Sequence, residues 1–323
     1  MEKIDLKDQK ILYQLDIDSR KSFRSIGKIV GLSKDIVASR VRKLTEKGII
    51  KNFYTVINPL KIGFISVRFT ILLQNTTPEI EDEIINYFVK NKYSAWVASA
   101  KGRFDLSVIM WIKDMSEFRI FWRKTLHRYR DFFQREVFSI FFQTTSYHQS
   151  FLLEDSYDIK DREQCFITGI EKKVEIDDID FQILKSLSEN ARISSVELGN
   201  KLNLSAMTIS NRIKKLKDSN IIKGFRVNID FSKLGYKYYK VDINIRKFNS
   251  RNKIISYVEL NPYLVYLDET AGSSDLELSF IVKNENHFHE IMKDVIKKFP
   301  DTILNYQYYY VNKSHKLLFL PDE

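Results

Sequence analysis

Two clusters of side chains stand out for the chemistry they allow. The first is Lys34, Asp35, Ala38, Ser39, Arg40, Arg42 and Lys43; the second is Ala206, Met207, Ser210, Asn211, Arg212, Lys214 and Lys215. Each member of the second lies 172 residues after its counterpart in the first. Cationic side chains neutralise phosphates, and small or polar ones at the start of a helix let it approach base edges. Such a mixture suits recognition of a polyanion and not the making or breaking of bonds. No phosphate-binding glycine loop and no nucleophile–base arrangement can be picked out elsewhere in the chain. His287 and His289 lie two apart on an expected helix, so they point to different faces and do not suggest a metal site. The aromatic and basic run 119–135 reads as an amphipathic helix packed on a sheet.

The clusters need elements to carry them, and those elements are duplicated. Residues from Ile4 and from Ile176 match without a gap for about sixty positions: Ile11 falls on Ile183, Arg20 on Arg192, Leu32-Ser33 on Leu204-Ser205, Arg40 on Arg212 and Gly63 on Gly235. In the first copy Leu6, Ile11, Leu12 and Leu15 form a helical stripe after Asp5, a good N-cap. A second helix begins at Ser22 and is expected to turn Ile26, Ile29 and Val30 inward. Gly31 breaks it and Ser33 caps a third helix with Val37, Val41 and Leu44 on its buried face. The second copy repeats the plan with Ile183, Leu184 and Leu187, then Leu198 and Leu202, then Ile209, Ile213 and Leu216. Asn203 and Asn220 replace Gly31 and Gly48, and Asn tolerates the same left-handed backbone. Ser194 and Glu197 make a capping box.

Two short helices joined by a tight turn form a helix-turn-helix, with the third helix of each copy as its recognition helix. Helical geometry sets Asp35, Ser39 and Arg42 opposite the buried stripe, with Lys34, Ala38 and Lys43 beside them. Met207, Asn211 and Lys214 take the same places in the second copy, flanked by Ala206, Ser210 and Lys215. Arg40 and Arg212 lie at the edge, where an arginine either reaches a phosphate or covers the core with its stem. The β-prone runs 49–57 and 221–229 suit a short hairpin or wing after each third helix.

The charge supports this division. Residues 1–60 hold 13 Lys and Arg against 7 Asp and Glu, and residues 176–235 hold 10 against 7, which places most of the net +10 in the duplicated units. A basic excess concentrated in a repeated helical unit favours a polyanionic partner. No apolar run is long enough to span a bilayer, the N-terminus is charged from Glu2, and the single Cys165 excludes an internal disulfide. A soluble cytoplasmic protein is expected.

Downstream of each unit the elements repeat again. Strand, helix, strand, strand, helix and strand are expected at 65–74, 78–91, 94–101, 104–113, 116–133 and 136–148. The second set is 238–246, 253–260, 263–270, 276–283, 286–299 and 303–311, with a short final strand at 151–153 and 317–320. This βαββαβ order is the ferredoxin-like arrangement. The middle hairpin of each set carries Gly102-Arg103-Phe104-Asp105 or Gly272-Ser273-Ser274-Asp275. Gly supplies a positive φ and Asp bonds backbone N–H groups, which is a complete turn device.

Each half resembles the Lrp/AsnC family of transcription regulators. The resemblance rests on Ile4-Asp5 through Asp8, Leu32-Ser33 with Arg40 and Leu44, Gly48-Ile49-Ile50, Gly63 and the Gly102-to-Asp105 hairpin, taken in order. It implies an N-terminal winged helix-turn-helix that binds double-stranded DNA, and a ferredoxin-like domain that dimerises, assembles further and binds an amino-acid effector. By the same resemblance Gly102, Asp105, Gly272 and Asp275 are effector-site candidates. The expected α+β architecture is a winged helix-turn-helix at 1–60, a ferredoxin-like sensor/assembly domain at 61–153 and an acidic linker at 154–175. A second winged helix-turn-helix at 176–235 and a second ferredoxin-like domain at 236–323 follow. A tandem fusion lets the halves pair within one polypeptide as a pseudo-dimer. No enzyme, cofactor or metal is expected. Two alternatives are a sensor/assembly protein without DNA affinity and a siroheme decarboxylase-like enzyme of the same fold. Those enzymes carry an Arg-Pro-rich stretch with histidine and a Trp-Pro-Tyr-Asn-like run, and neither occurs at 95–105 or 265–275.

Overall fold

The computed structural model describes residues 2–153, 162, 165–272 and 274–320. Three helices open the chain: α1 (Leu6–Ile17), α2 (Phe23–Val30) and α3 (Lys34–Glu46). Asp5 caps α1 in a reciprocal box with Asp8, Ser22 caps α2 and Ser33 caps α3. Their counterparts are α6 (Asp178–Glu189), α7 (Ser195–Leu202) and α8 (Ala206–Asp218), capped by Asp177, Ser194 and Ser205. The turn between the last two helices of each unit closes on a left-handed residue, Gly31 at φ 69° or Asn203 at φ 56°. Gly27 and Gly199 let it close tightly, since a Cβ there would meet the carbonyl oxygen of Leu32 at 2.4 Å or of Leu204 at 2.6 Å. Val37, Val41 and Leu44 are buried as their spacing predicts, but Ile29 is 56% exposed and faces solvent, contrary to expectation.

The runs after α3 and α8 are single strands, β1 (Ile50–Ile57) and β7 (Ile222–Ile229). Neither folds back into a hairpin of its own. They pair with each other, antiparallel, as a two-stranded ribbon joining the halves. The expected wing is thereby corrected: its ladder hydrogen bonds are satisfied across the duplication.

The remaining strands form the two ferredoxin-like units. The first has β2 (Ile65–Leu73), α4 (Pro78–Lys90), β3 (Ser94–Gly102), β4 (Leu106–Ile112), α5 (Met115–Tyr129) and β5 (Phe133–Tyr147). After β6 (Cys165–Gly169), the second has β8 (Lys237–Ile245), α9 (Arg251–Val258), β9 (Leu264–Gly272), β10 (Leu276–Val282), α10 (Glu285–Lys298) and β11 (Ile303–Leu317). Each unit makes a four-stranded sheet, in the order β5-β2-β4-β3 or β11-β8-β10-β9. The edges β3 and β11 pair, as do β9 and β5, so eight antiparallel strands close on themselves. Closure removes the free edges that each sheet alone would expose.

Helices cover the outside of this ring. Phe69, Val108 and Met110 pack under Ile84, Phe88 and Phe121, while Val241, Leu278 and Phe280 pack under Ile254, Phe288 and Met292. The alternate strand positions point inward, and many are polar or small: Ser66, Arg68, Thr70, Ser107, Lys240, Asp242, Glu277 and Ser279 are all buried. Arg68 Nη1 lies 2.6 Å from Glu277 Oε2 and its Nη2 lies 3.1 Å from Asp242 Oδ1, tying the two sheets together.

The expected linker is partly structured. Positions 154–161, 163 and 164 lie outside the described residues, but β6 adds to β5 beyond the point where β2 ends. Arg162 donates to the carbonyls of Glu259, His148 and Leu264. The expected terminal strands also differ: Ser150–Leu153 is a 3-10 turn, and β11 runs on to Leu317.

Candidate nucleic-acid interface

The ribbon sets the two helix-turn-helix units against each other through reciprocal contacts. Ser19 N donates to Phe225 O at 2.9 Å and Ala191 N to Phe53 O at 2.8 Å. Asn58 N donates to Ile221 O at 2.9 Å and Asp230 N to Ile49 O at 2.8 Å. Each contact is the 172-residue image of the other, so the units are related by a pseudo-two-fold axis. Arginine side chains strengthen the join. Arg20 Nη2 donates to Ile193 O at 3.2 Å, and Arg192 Nη1 donates back to Ser19 O and Lys21 O. Arg20 stacks over Phe225 at 5.2 Å and Arg192 over Phe23 at 4.5 Å. Neither arginine was among the candidate site residues. Their sequence signal was there, a charged residue kept in a turn of both copies, but the partner carbonyls lie across the duplication.

A deeper contact anchors the first unit only. Asp16 on α1 is fully buried, with Oδ1 2.6 Å from Arg226 Nη2 and Oδ2 accepting from Gln149 N at 2.8 Å. His148 Nδ1 lies 3.4 Å from Oδ2. Burial alone would raise the Asp16 carboxyl, yet Arg226 and His148 hold it below its ordinary value. The matching place in the second unit holds Ser188 and Tyr54, and Tyr54 stacks on Phe319 with ring centroids 3.6 Å apart.

On the recognition helices, Lys34, Asp35, Arg42 and Lys43 of α3 are exposed, as are Met207, Ser210, Asn211, Lys214 and Lys215 of α8. Ala38, Ser39 and Ala206 are partly covered. Ser210 Oγ bonds to Ser195 Oγ at 3.0 Å. Among the described residues Arg42, Lys43 and Lys214 make no ion pair, which leaves their charge available. Arg40 and Arg212 are placed differently. Arg40 Nη1 reaches Asp5 Oδ2 and Asp8 Oδ1, both at 2.8 Å, and Arg212 Nη1 reaches Asp177 Oδ2 and Asp180 Oδ1 at the same distance. These hydrogen bonds raise both guanidinium groups above their ordinary value. The arginines clasp the first helix of each unit to its recognition helix.

The hairpin candidates are brought into turns. Gly102 and Gly272 take positive φ. Asp105 Oδ2 accepts from Leu73 N at 2.8 Å, and Asp275 Oδ2 accepts from Ile245 N at 2.7 Å. Both carboxylates thus hold the end of the neighbouring strand, and Ser273 lies outside the described residues.

Comparison with known proteins agrees with the duplication. Residues 4–45 match the AsnC-type helix-turn-helix domain, and residues 176–223 match a winged helix-turn-helix DNA-binding domain. The HTH-type transcriptional regulator LrpB of Bacillus subtilis is 27% identical, and all of it lies on 46% of this chain. The HTH-type transcriptional regulator Ptr1 of Methanocaldococcus jannaschii is 38% identical over 35% of this chain and 74% of its own length. An uncharacterized HTH-type transcriptional regulator of Pyrococcus furiosus is 32% identical over 38% of this chain and 83% of its own. The crystal structure of the siroheme decarboxylase NirDL covers 96% of this chain and 92% of its own at a TM-score of 0.64. At 11% identity that likeness is one of fold alone. Among the described residues no helix is long and apolar enough to cross a membrane. A relative whose whole length fits on less than half of the chain, matched helix-turn-helix domains in both halves and a fold spanning both lead to one assignment: the chain belongs to the Lrp/AsnC family, as a fusion of two family units.

Proposed function

We propose that this chain is a cytoplasmic transcription regulator that grips duplex DNA as an intramolecular pseudo-dimer. The observation that carries the reading is the reciprocal ribbon and Arg20/Arg192 contact, which holds two basic recognition helices in a fixed two-fold relation. Dimeric helix-turn-helix proteins use that relation to bind half-sites one helical turn apart, about 10 base pairs, or a multiple of it. Here α3 offers Asp35, Ser39 and Arg42 where α8 offers Met207, Asn211 and Lys214, so the two half-sites differ. Arg42, Lys43, Lys214 and Lys215 serve phosphates, and Asn211 is suited to a bidentate bond with adenine.

The units follow the bounds 1–60, 61–153, 176–235 and 236–323, with β6 joining the first sheet. A small-molecule effector, and assembly of pseudo-dimers into larger oligomers, complete the reading. Fluorescence anisotropy of labelled duplexes in increasing salt tests it. Binding should fall steeply, with roughly 0.9 in the slope of log K against log salt for each phosphate neutralised. Affinity that is absent in dilute buffer, or indifferent to salt, would refute it.

A further inference from the structure

Closure of the ring leaves one stretch of strand edge uncovered. β5 outruns its neighbour β2, and on the side that β2 leaves, its far end at 143–147 pairs with β6. β11 is the counterpart of β5 and likewise outruns its neighbour, since β8 pairs with it only as far as Val311. On that side no strand among the described residues continues along 312–315, although β3 pairs with the other side as far as Leu317. Instead a groove of about 670 Å³ runs between this edge and β1, lined by Lys51, Asn52, Asp230, Phe231 and Ser232. In the other half the matching place is filled by β6, which lies against β7 and the turn Pro59–Ile62.

The filled slot shows what the open one is built to hold. Just past β6, Glu171 is gripped by Lys61 Nζ at 2.5 Å and Lys223 Nζ at 3.4 Å, which hold its carboxyl below the ordinary value. Both lysines are duplicated, as Lys233 and Lys51. Lys233 Nζ donates to a neutral acceptor, Lys47 O at 2.7 Å, and Lys51 Nζ lies 3.1 Å from Asp230 Oδ2. An ammonium has three donors, so each lysine keeps capacity for a further carboxylate. The backbone around them matches too: Val174 N donates to Lys61 O at 2.8 Å and Glu2 N to Lys233 O at 2.7 Å. One difference limits the guest. Gly224 makes room for Phe166, whose ring a Cβ there would meet at 2.3 Å, whereas Asn52 stands at that place in the open slot. The guest residue there must be smaller than phenylalanine. Lys313 is exposed on the open edge, so pairing two copies of it would bring like charges together. An acidic strand from another protein meets the opposite charge.

We propose that the open edge of β11 takes an extended acidic peptide of a partner protein as an added antiparallel strand, with a carboxylate between Lys51 and Lys233. Main-chain hydrogen bonds to 312–315 supply the affinity, while Asn52 and the two lysines select the sequence. The docking needs neither DNA nor a small ligand, so it stands apart from the regulator reading.

The probe is a rhodamine-labelled, amidated peptide copying residues 165–171 with Cys165→Ser and Phe166→Val, titrated against the full chain by anisotropy in dilute buffer. Saturable binding is expected, and amide hydrogen exchange at 312–315 should slow at saturation. Glu171→Gln in the peptide should weaken binding by about threefold or more. Ile167→Pro with Thr168→Pro in the peptide removes strand N–H groups and should abolish binding. In the protein, Lys51→Met or Lys233→Met should weaken the parent peptide by about threefold or more and leave the Glu171→Gln peptide unaffected. Lys223→Met, at the filled slot, should leave the parent peptide unaffected; a loss there would mean that the peptide displaces β6, and would overturn the assignment. Should a lysine variant fail to fold, as judged by circular dichroism, the peptide series and the exchange at 312–315 decide. No saturable binding, indifference to the proline or glutamine peptides, or unchanged exchange at 312–315 would overturn the proposal.

Discussion

Replacing Asp16 with alanine should cost the folded chain roughly 3–5 kcal/mol, the usual consequence of leaving one member of a buried ion pair alone. Among the described residues Arg226, 1% exposed, would keep only neutral acceptors, Ser146 Oγ at 2.5 Å and Tyr147 O at 3.0 Å. The equivalent change in the other unit is an internal control. Ser188 Oγ donates to Lys185 O within its own helix, so Ser188→Ala should cost about 1 kcal/mol or less. Urea unfolding followed by circular dichroism measures both. The paired replacement Asp16→Leu with Arg226→Met should recover most of the loss, because it leaves no uncompensated charge. The pH dependence has a definite sign. The native Asp16 carboxyl lies below its ordinary value, so its contribution is present above the ordinary carboxylate pKa and lost as pH falls through the depressed one. Asp16→Ala should flatten that acid limb. A loss within 1 kcal/mol of the Ser188 control, or a double variant no better than the single one, would refute the reasoning.

Three further outcomes are expected. Arg42→Ala and Lys214→Ala should each weaken duplex binding across all sequences and lower the salt slope by about 0.9, read by anisotropy at several salt concentrations. Asp105→Ala strips Leu73 N of its acceptor and should cost about 1.5–3 kcal/mol in urea unfolding, with no need of any ligand to see it. Burial raises the Glu277 carboxyl above its ordinary value against the pull of Arg68. Its contribution is therefore present below the ordinary pKa and lost as pH rises through the raised one, and Glu277→Gln should remove that decline in thermal melts across the window.

Much of this could be read in the residues. The Val37, Val41 and Leu44 stripe, the Ser33 and Ser205 caps and the left-handed Gly31 and Asn203 are local signals, and each stands as its spacing implied. The βαββαβ order followed from alternating and helical periods for the same reason. That the halves pair was expected from the fusion; which strands join them was hidden. A β-prone run states that it needs a partner without saying which, so 49–57 and 221–229 looked like two wings and form one ribbon. Closure of the ring was hidden likewise, and with it the inward course of Arg68, Asp242 and Glu277, which in a one-sided sheet would face water. The position of Arg40 on its helix fits either phosphate or core, and its true partners, Asp5 and Asp8, come to it only through the packing of α1 on α3. β6 is too short to rise above the acidic stretch around it.

The most direct measurement is selection of bound duplexes from a randomised pool with the purified full chain, followed by footprinting of the recovered sites. Two unlike half-sites whose centres lie a whole number of helical turns apart are expected, one altered by Asn211→Ala and the other untouched. A single half-site, a strictly symmetric palindrome, or a pool no different from the input would contradict two recognition helices held as an unequal pair.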